Sequence, residues 1–379
     1  MAKSDGRQIV SFLETQSINK VNGKSKLHWS LKESGQRLIE SIVPSLQITI
    51  AATAAYFLAH LGLGHPIPFL AVTVTITSLG FSRDARPRRI AQTALGMVSG
   101  IAISELWLLA FGQGYWQLPS LLLVVLLASR FVTGSAAFTL AAATQSALVY
   151  LTVAPPGGPF MRSIDGAIGG AVALAVTALI PRDPRGMANK DATKLFDLFL
   201  DSLGAIKLAL KHVDVKSADA TLLRVRRTQP LMDNWRLSLD SAIAISKISP
   251  FLRKYQDELR GQYRIMKGMD LATRNLRVIV RRIDYLLRDG VSRPHLVDLI
   301  DQIEAAALVL KQGIEDSERQ HDAIELLVEV IHQLDPKKFG IADELREASV
   351  ILLLRPLVID LLCAAGMPEE DARAELPTI

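Results

Sequence analysis

The chain has 379 residues, of which 49% are apolar and 21% charged, and a formal net charge of +5. Residues up to Pro181 contain 13 Lys and Arg against 7 Asp and Glu, whereas the rest contain 30 against 31, so the basic excess lies in the apolar half and argues against a nucleic-acid partner. The single cysteine, Cys363, excludes an internal disulfide and a cysteine-based zinc site.

The first 41 residues are predicted to form a cytoplasmic N-terminal segment. They carry seven Lys and Arg, and no short apolar core with a small-residue cleavage site follows the start, so no cleaved signal peptide is expected. The end of the segment fits two interpretations equally well: an amphipathic helix on the membrane surface, or a solvated tail. The residues that suggest the helix are Trp29, Leu31, Leu38 and Ile39, with Lys32 and Arg37.

Residues 42–181 are predicted to form a six-helix transmembrane domain. About 20 helical residues are needed to cross about 30 Å of hydrocarbon. Six apolar segments approach that length, although the second and fourth are short. The predicted spans are Ile42–Leu63, Pro66–Phe81, Ile90–Phe111, Leu118–Val132, Ser135–Val153 and Ile164–Ile180.

The orientation of these spans follows from the positions of lysine and arginine, which favour cytoplasmic loops. The N-terminal segment carries seven, the loop Ser82–Arg89 carries four, Arg130 lies near the fourth loop, and Arg182 and Arg185 follow the last span. The first and third loops carry none, and Arg162 alone lies near the fifth. Both termini are therefore predicted to be cytoplasmic.

Glycine pairs in two spans predict close helix contacts. Gly96 and Gly100 in the third span, like Gly166 and Gly170 in the sixth, are separated by three residues, which lets helix backbones approach. Such contacts could lie within one chain or between subunits.

Residues 182–379 are predicted to form a cytoplasmic domain of five to seven helices, because apolar residues recur there with helical periodicity. Breaks are expected at Pro250, Asp289-Gly290, Pro294 and Pro336, and a kink at Pro230.

The apolar segment 349–366 could be a seventh span, but Arg355, Pro356 and Asp360 lie near its middle. Each central charge costs about 2.5–3.5 kcal/mol on insertion. A helix buried in the bundle is therefore favoured.

Enzymatic signatures are lacking in the sequence: it has no phosphate-binding loop, dinucleotide fingerprint or metalloprotease helix. We expect no catalytic residues, no cofactor and no metal. The seven histidines are scattered. His60 and His65 bracket the first outer turn and could titrate there, although a surface role is favoured.

Polar residues within or next to the spans are the candidates for a substrate pathway, because burying them is costly. For the uncharged ones, interhelical hydrogen bonding is an equal alternative. Arg130 could pair with Glu105 or extend to the cytoplasmic surface, which is slightly favoured. The basic loop could serve topology, the favoured role, or attract anions. The candidates are Thr73, Thr77, Arg83, Arg88, Arg89, Gln92, Thr93, Glu105, Arg130 and Gln145.

The segment Pro68–Gly100 resembles the fusaric-acid-resistance (FUSC) family, in which a short span, a basic loop and an Arg-x-x-Gly-Thr-x-x-Gly helix start follow one another. Here Arg89–Gly96 carries that start, with Gln92 in place of the usual first glycine. Asp165–Gly170 and Pro181–Pro184 are similar to the last span and its exit.

The resemblance implies an exporter of small, often aromatic, organic acids in the bacterial plasma membrane, coupled to the proton gradient. Larger family members carry two membrane blocks and this chain carries one, which implies a homodimer. The expected partners are the lipid bilayer, a small organic anion and a second copy of the chain. Two alternatives stay open: a passive anion channel, and a membrane scaffold that recruits a cytoplasmic partner through its helical domain.

Overall fold

The computed structural model describes residues 31–81, 84, 86–152, 158–180 and 184–378. Within these ranges the regular elements are helices and no strand occurs, which confirms the all-α prediction. Two units are distinguished, one up to Leu46 and one from Gln47 to Ile379.

Residues 31–41, where an interfacial helix was one alternative, are helical and continue without a break into the first predicted span. Leu38 and Ile39 are exposed there. Trp29 lies outside the described residues.

Six helices, which we call the N-terminal block, correspond in order to the six predicted spans. The first is continued by a π-helical turn, Leu58–Gly62. The helices are α1 Leu31–Phe57, α2 Phe69–Leu79, α3 Pro87–Phe111, α4 Gln117–Val132, α5 Ala136–Leu151 and α6 Met161–Leu179.

Only part of this block has the length that a membrane crossing requires. Among the described residues, Ser41–Gly62, Pro87–Phe111 and Met161–Leu179 are long and apolar enough, whereas α2, α4 and α5 are shorter apolar helices. The 11 residues of α2 rise only about 16 Å. Pro68 precedes this helix, and Gly80 ends it with a φ of +46°. The six-span arrangement therefore stays a proposal.

Helix α3 packs against α5, α6 and α2. A Cβ built at Gly96 would lie 2.5 Å from the carbonyl oxygen of Phe138, and one at Gly100 would overlap the carbonyl of Ala142. The predicted close contact of the third span is thus confirmed, with α5 as its partner. In α6, a Cβ at Gly169 would overlap the carbonyl oxygen of Ala71 on α2.

Eight further helices, which we call the C-terminal bundle, enclose a separate apolar core that includes Phe196, Phe199 and Trp235. Short 3₁₀ turns occupy Arg253–Tyr255, Leu287–Asp289 and Pro336–Phe339. The helices are α7 Pro184–His212, α8 Val215–Val225, α9 Gln229–Ser246, α10 Gln256–Leu286, α11 Pro294–Gln312, α12 Glu318–Gln333, α13 Leu345–Ala365 and α14 Glu369–Ala374.

The predicted breaks in this half are confirmed, except that Pro230 does not kink a helix. Instead α8 ends at Val225, and Pro230 lies in the first turn of α9. Proline is well accommodated in the first turn, where its missing N–H has no intrahelical partner to lose. This extra boundary and the short α14 raise the number of helices above the predicted five to seven.

The candidate seventh span is the helix α13, which packs against α10 and α12. It is long and apolar enough to cross a membrane. However, Leu354, Leu357 and Leu361 lie in the core of the C-terminal bundle. The two charged side chains have polar partners: Arg355 donates to the carbonyl oxygen of Pro377 at 2.7 Å, and Asp360 accepts from Asn275 at 2.5 Å. Much of its apolar surface is thus buried within the bundle, and its exclusion from the membrane stays a prediction.

We therefore expect a fragment comprising residues 184–379 to be soluble without detergent and to unfold cooperatively, since its apolar core closes on itself. Circular dichroism during thermal unfolding measures this directly. If the fragment is recovered only in the membrane fraction or in detergent, α13 is a span and the domain assignment fails.

Candidate functional site

A pocket rich in arginine lies at the N-terminal end of α3. We call it the basic pocket; its volume is about 390 Å³. Two of its residues, Ser135 and Ala137, come from the start of α5, and the others from the loop before α3 and its first turns. The lining residues are Asp84, Arg86, Arg88, Arg89, Gln92, Ser135 and Ala137.

Asp84 accepts the hydrogen bonds that hold the loop before α3. Asp84 accepts two hydrogen bonds from the guanidinium of Arg86, at 2.8 and 2.9 Å, and its carbonyl oxygen accepts one from Arg89 at 2.9 Å. The hydrogen bonds from Arg86 lower the pKa of Asp84, so that this carboxylate stays ionised. Asp84 thus positions Arg86 through its carboxylate and Arg89 through its main-chain carbonyl, and the lining keeps a positive excess.

Two further features favour an anion in this pocket. Pro87 begins α3, and the first N–H groups of a helix carry a partial positive charge. Arg88 is exposed and forms no ion pair within the described residues. On the opposite side, Ser135 Oγ donates to Gln92 Oε1 at 3.2 Å. The pocket therefore combines charge, a helix end and neutral polar groups.

Three of the ten predicted pathway residues, Arg88, Arg89 and Gln92, thus line one pocket. Arg83 lies outside the described residues. Arg130 is exposed, lines no part of this pocket, and donates to the carbonyl oxygen of Gly134 at 3.0 Å. Its guanidinium therefore lies at the end of α4, and its extension to the cytoplasmic surface stays a prediction.

The other predicted residues are dispersed along the block. Thr73 and Thr93 are half-buried and Thr77 is exposed. Gln145 is buried, and its Nε2 has no hydrogen-bond partner in the described part of the chain. Their role in a pathway stays a prediction.

A second group, which we call the buried polar cluster, lies where α6 begins. It comprises His65, Glu105, Arg162, Ser163 and Asp165, and its four charged or titratable side chains are each at most 9% exposed. Glu105 Oε2 accepts from Ser163 Oγ at 2.6 Å. His65 Nδ1 and Asp165 Oδ1 are 2.5 Å apart. Glu105 therefore contacts α6, and Arg130 is not its partner.

Arg162 extends this cluster toward α5. Its guanidinium donates to the carbonyl oxygens of Val149, at 3.0 Å, and Thr152, at 3.3 Å. The bond to Val149 satisfies one of the last four carbonyl groups of α5, which lack intrahelical partners.

The prediction of a surface role for His65 is wrong, because this imidazole is buried against Asp165. The sequence did contain a signal for the acid: Asp165 lies within an apolar segment, where an ionisable residue is costly and is expected to have a partner. Nothing in the sequence identified His65, which is 100 residues away, as the partner of Asp165.

Comparison with known proteins supports the earlier resemblance. Residues 51–176 match a family described as fusaric acid resistance protein-like, which confirms the resemblance over that range. A protein of Corynebacterium glutamicum, named "Uncharacterized protein", is 28% identical over 361 residues, covering 93% of this chain and 92% of its own length. Proteins of Mycobacterium tuberculosis and Mycobacterium bovis, named "Putative arylamide transporter", are 27% identical over 155 residues, or 39% of this chain and 44% of theirs. Together with the apolar helices, these matches support a membrane transport protein.

Proposed function

We propose that this membrane transport protein exports small aromatic acids across the bacterial inner membrane in exchange for protons. In this proposal the six helices of the N-terminal block span the membrane, both termini are cytoplasmic, and the C-terminal bundle lies in the cytoplasm. The basic pocket is the observation that carries the proposal.

The size and chemistry of the basic pocket suit an aromatic carboxylate. A volume of about 390 Å³ lies within the usual range for small-molecule sites. Arg88 and Arg89 offer planar guanidinium groups, which bind a carboxylate through two parallel hydrogen bonds and stack on aromatic rings. Gln92 and Ser135 supply neutral polar groups beside them.

The position of the pocket gives the proposed direction of transport. In the orientation predicted from lysine and arginine counts, the start of α3 faces the cytoplasm. A basic mouth on that side raises the local concentration of cytoplasmic anions. Substrate is therefore loaded from the cytoplasm and released outside.

A homodimer completes the proposed pathway. The resemblance implies that larger exporters carry two membrane blocks, and this chain contributes one. A second copy would supply the second block and, with it, the walls of the pathway that one block lacks.

A second candidate function is transport of neutral aromatic amides, which is favoured by the name of the mycobacterial relatives. Charge discriminates between the two substrate classes. Benzoate and benzamide have nearly the same shape, but only the carboxylate gains from arginine. The channel and scaffold alternatives differ in another respect, since neither accumulates substrate against its gradient.

We expect Arg88→Gln combined with Arg89→Gln to lower the initial rate of benzoate flux into proteoliposomes about tenfold or more. A hydrogen bond to a charged group contributes about 1.5–3 kcal/mol, and about 1.4 kcal/mol corresponds to a factor of ten. Benzamide flux, if present, should be little affected by the same change. Radiolabelled benzoate and benzamide, measured side by side, give both rates.

Arg130→Gln is the matched control, because it removes a cation at the same end of the block but outside the basic pocket. We expect it to change benzoate flux less than twofold. Equal losses in both variants would indicate a general surface potential instead of a pocket. Benzamide flux without benzoate flux would favour the amide candidate.

A further inference from the structure

We propose that His65 and Asp165 form the site that binds the exchanged proton. The inference rests on the proposed function, because it assigns the coupling step of that transport. The pair lies at the end of the N-terminal block opposite the basic pocket. Neither His65 nor Asp165 was among the predicted pathway residues.

The two residues meet from separate elements. His65 lies between the π-helical turn that ends α1 and the start of α2, and Asp165 lies in the second turn of α6. His65 is 8% exposed and Asp165 4% exposed. His65 Nδ1 and Asp165 Oδ1 are within hydrogen-bond distance of one another.

Other ionisable side chains lie on the elements that pack around this pair. The charged or titratable residues on the described elements packed around the pair are Tyr56, His60, Glu105 and Arg162. His60 Nδ1 lies 2.7 Å from the main-chain oxygen of His65, and its ring stacks on Tyr56. Glu105 accepts from Ser163 Oγ at 2.6 Å, and Arg162 donates to the carbonyl oxygens of Val149 and Thr152. Helix α2 carries no titratable residue.

The proton balance of the site is simple. In the unloaded state, neutral His65 donates its Nδ1 proton to the Asp165 carboxylate, and the pair carries one negative charge. A proton taken from the outer solution binds at Nε2 and gives an imidazolium–carboxylate pair with no net charge. Release of that proton to the inner solution restores the first state, and no other bond forms or breaks.

A change of charge at this pair can act on the packing of α2 against α6. Four residues beyond Asp165, Gly169 allows the backbone of α2 to approach, and its carbonyl oxygen accepts from Thr75 Oγ1 at 3.0 Å. Because the pair links the chain before α2 to the start of α6, loading and unloading alter the attraction across this same interface. A proton-dependent movement of α2 relative to α6 is the expected consequence.

Nitrogen NMR of full-length protein in lipid, labelled with ¹⁵N-histidine, tests proton binding without any substrate. The difference between wild type and His65→Gln isolates the signals of His65. We expect its Nδ1 to be protonated throughout and its Nε2 to gain a proton as the pH is lowered. In Asp165→Asn, which keeps a hydrogen-bond acceptor but no charge, the midpoint of uptake should fall by at least about one pH unit.

Asp84→Asn is the matched control, since it removes the same charge at the opposite end of the block; the midpoint for His65 should not move. If His65 stays neutral over the whole range in wild type, or titrates identically in Asp165→Asn, the assignment is wrong. Flux then tests coupling: in Asp165→Asn a pH gradient should no longer drive benzoate accumulation, and accumulation at the wild-type level would overturn the inference. If wild type moves no benzoate, the proposed function fails, while the NMR result still decides whether the pair binds a proton.

Discussion

Replacing Gly100 by alanine is expected to remove most of the folded protein from the membrane. The added methyl would overlap the carbonyl oxygen and carbon of Ala142 on α5, and both belong to backbone inside a helix. Backbone cannot rotate away as a side chain can, so α3 and α5 would have to separate along their whole contact. Overpacking typically costs about 1–3 kcal/mol, and we expect a value at or above the top of that range here.

The measurement is the yield of monodisperse protein in mild detergent, together with its thermal midpoint. Gly62→Ala is the matched control, since Gly62 lies in the π-helical turn and a Cβ there meets nothing within 4 Å. We expect that variant to behave like wild type. Normal yield and midpoint for Gly100→Ala would mean that α3 and α5 do not pack as described.

Replacing Arg293 by methionine is expected to destabilise the C-terminal bundle by about 3–5 kcal/mol, the usual cost of breaking a buried ion pair. Arg293 is 5% exposed and donates to Glu347 Oε2 at 2.9 Å and to Asp289 Oδ2 at 2.5 Å. His295 Nε2 lies 2.6 Å from the other oxygen of Glu347. Without the guanidinium, the buried Glu347 carboxylate loses its charged partner.

Chemical denaturation of the 184–379 fragment measures this effect, and Arg288→Met is its control. Arg288 pairs with Asp284 across one helical turn, but its side chain is 63% exposed, so a change within about 0.5 kcal/mol is expected. Combining Arg293→Met with Glu347→Gln should recover part of the loss, because no buried charge is then left unpaired. Equal effects of Arg288→Met and Arg293→Met would contradict the buried network.

The same network predicts how the stability of the bundle changes with pH. The hydrogen bonds from Arg293 lower the pKa of Asp289 in the folded protein. A depressed carboxyl pKa contributes stability above the unfolded value, near 3.9, and that contribution is lost as the pH falls through the folded value. The unfolding midpoint of Arg293→Met should therefore depend less on pH in the acid range than that of wild type.

The helices of this protein could largely be predicted from its sequence, whereas the contacts between distant polar residues could not. Apolar periodicity and proline positions identify α3, α6 and most of the C-terminal bundle. Glu105 was recognised as a costly buried acid, but its partner Ser163 lies 58 residues away. Burial cost tells which residue needs a partner, and only the packing of α3 against α6 shows which one it has.

The basic pocket also shows which residues of a site can be predicted from the sequence and which cannot. The clustered arginines were visible in the sequence because the loop places them next to one another. Ser135 could not be recognised as a pocket residue from the sequence, because it lines the pocket only through the packing of α5 against α3. Arg130 belongs to the same end of the block by sequence, yet it is exposed and is not among the residues that line the pocket.

The most direct test of the proposed exchange is the accumulation of radiolabelled benzoate by wild-type proteoliposomes under an imposed pH gradient, with the membrane potential held at zero. Exchange of one proton per anion predicts accumulation on the acidic side by about tenfold per pH unit, because a factor of ten in proton activity sustains a factor of ten in substrate. The accumulated benzoate should be released when the gradient is collapsed. Benzoate that equilibrates without accumulating beyond protein-free liposomes, or that does not enter at all, would contradict the account.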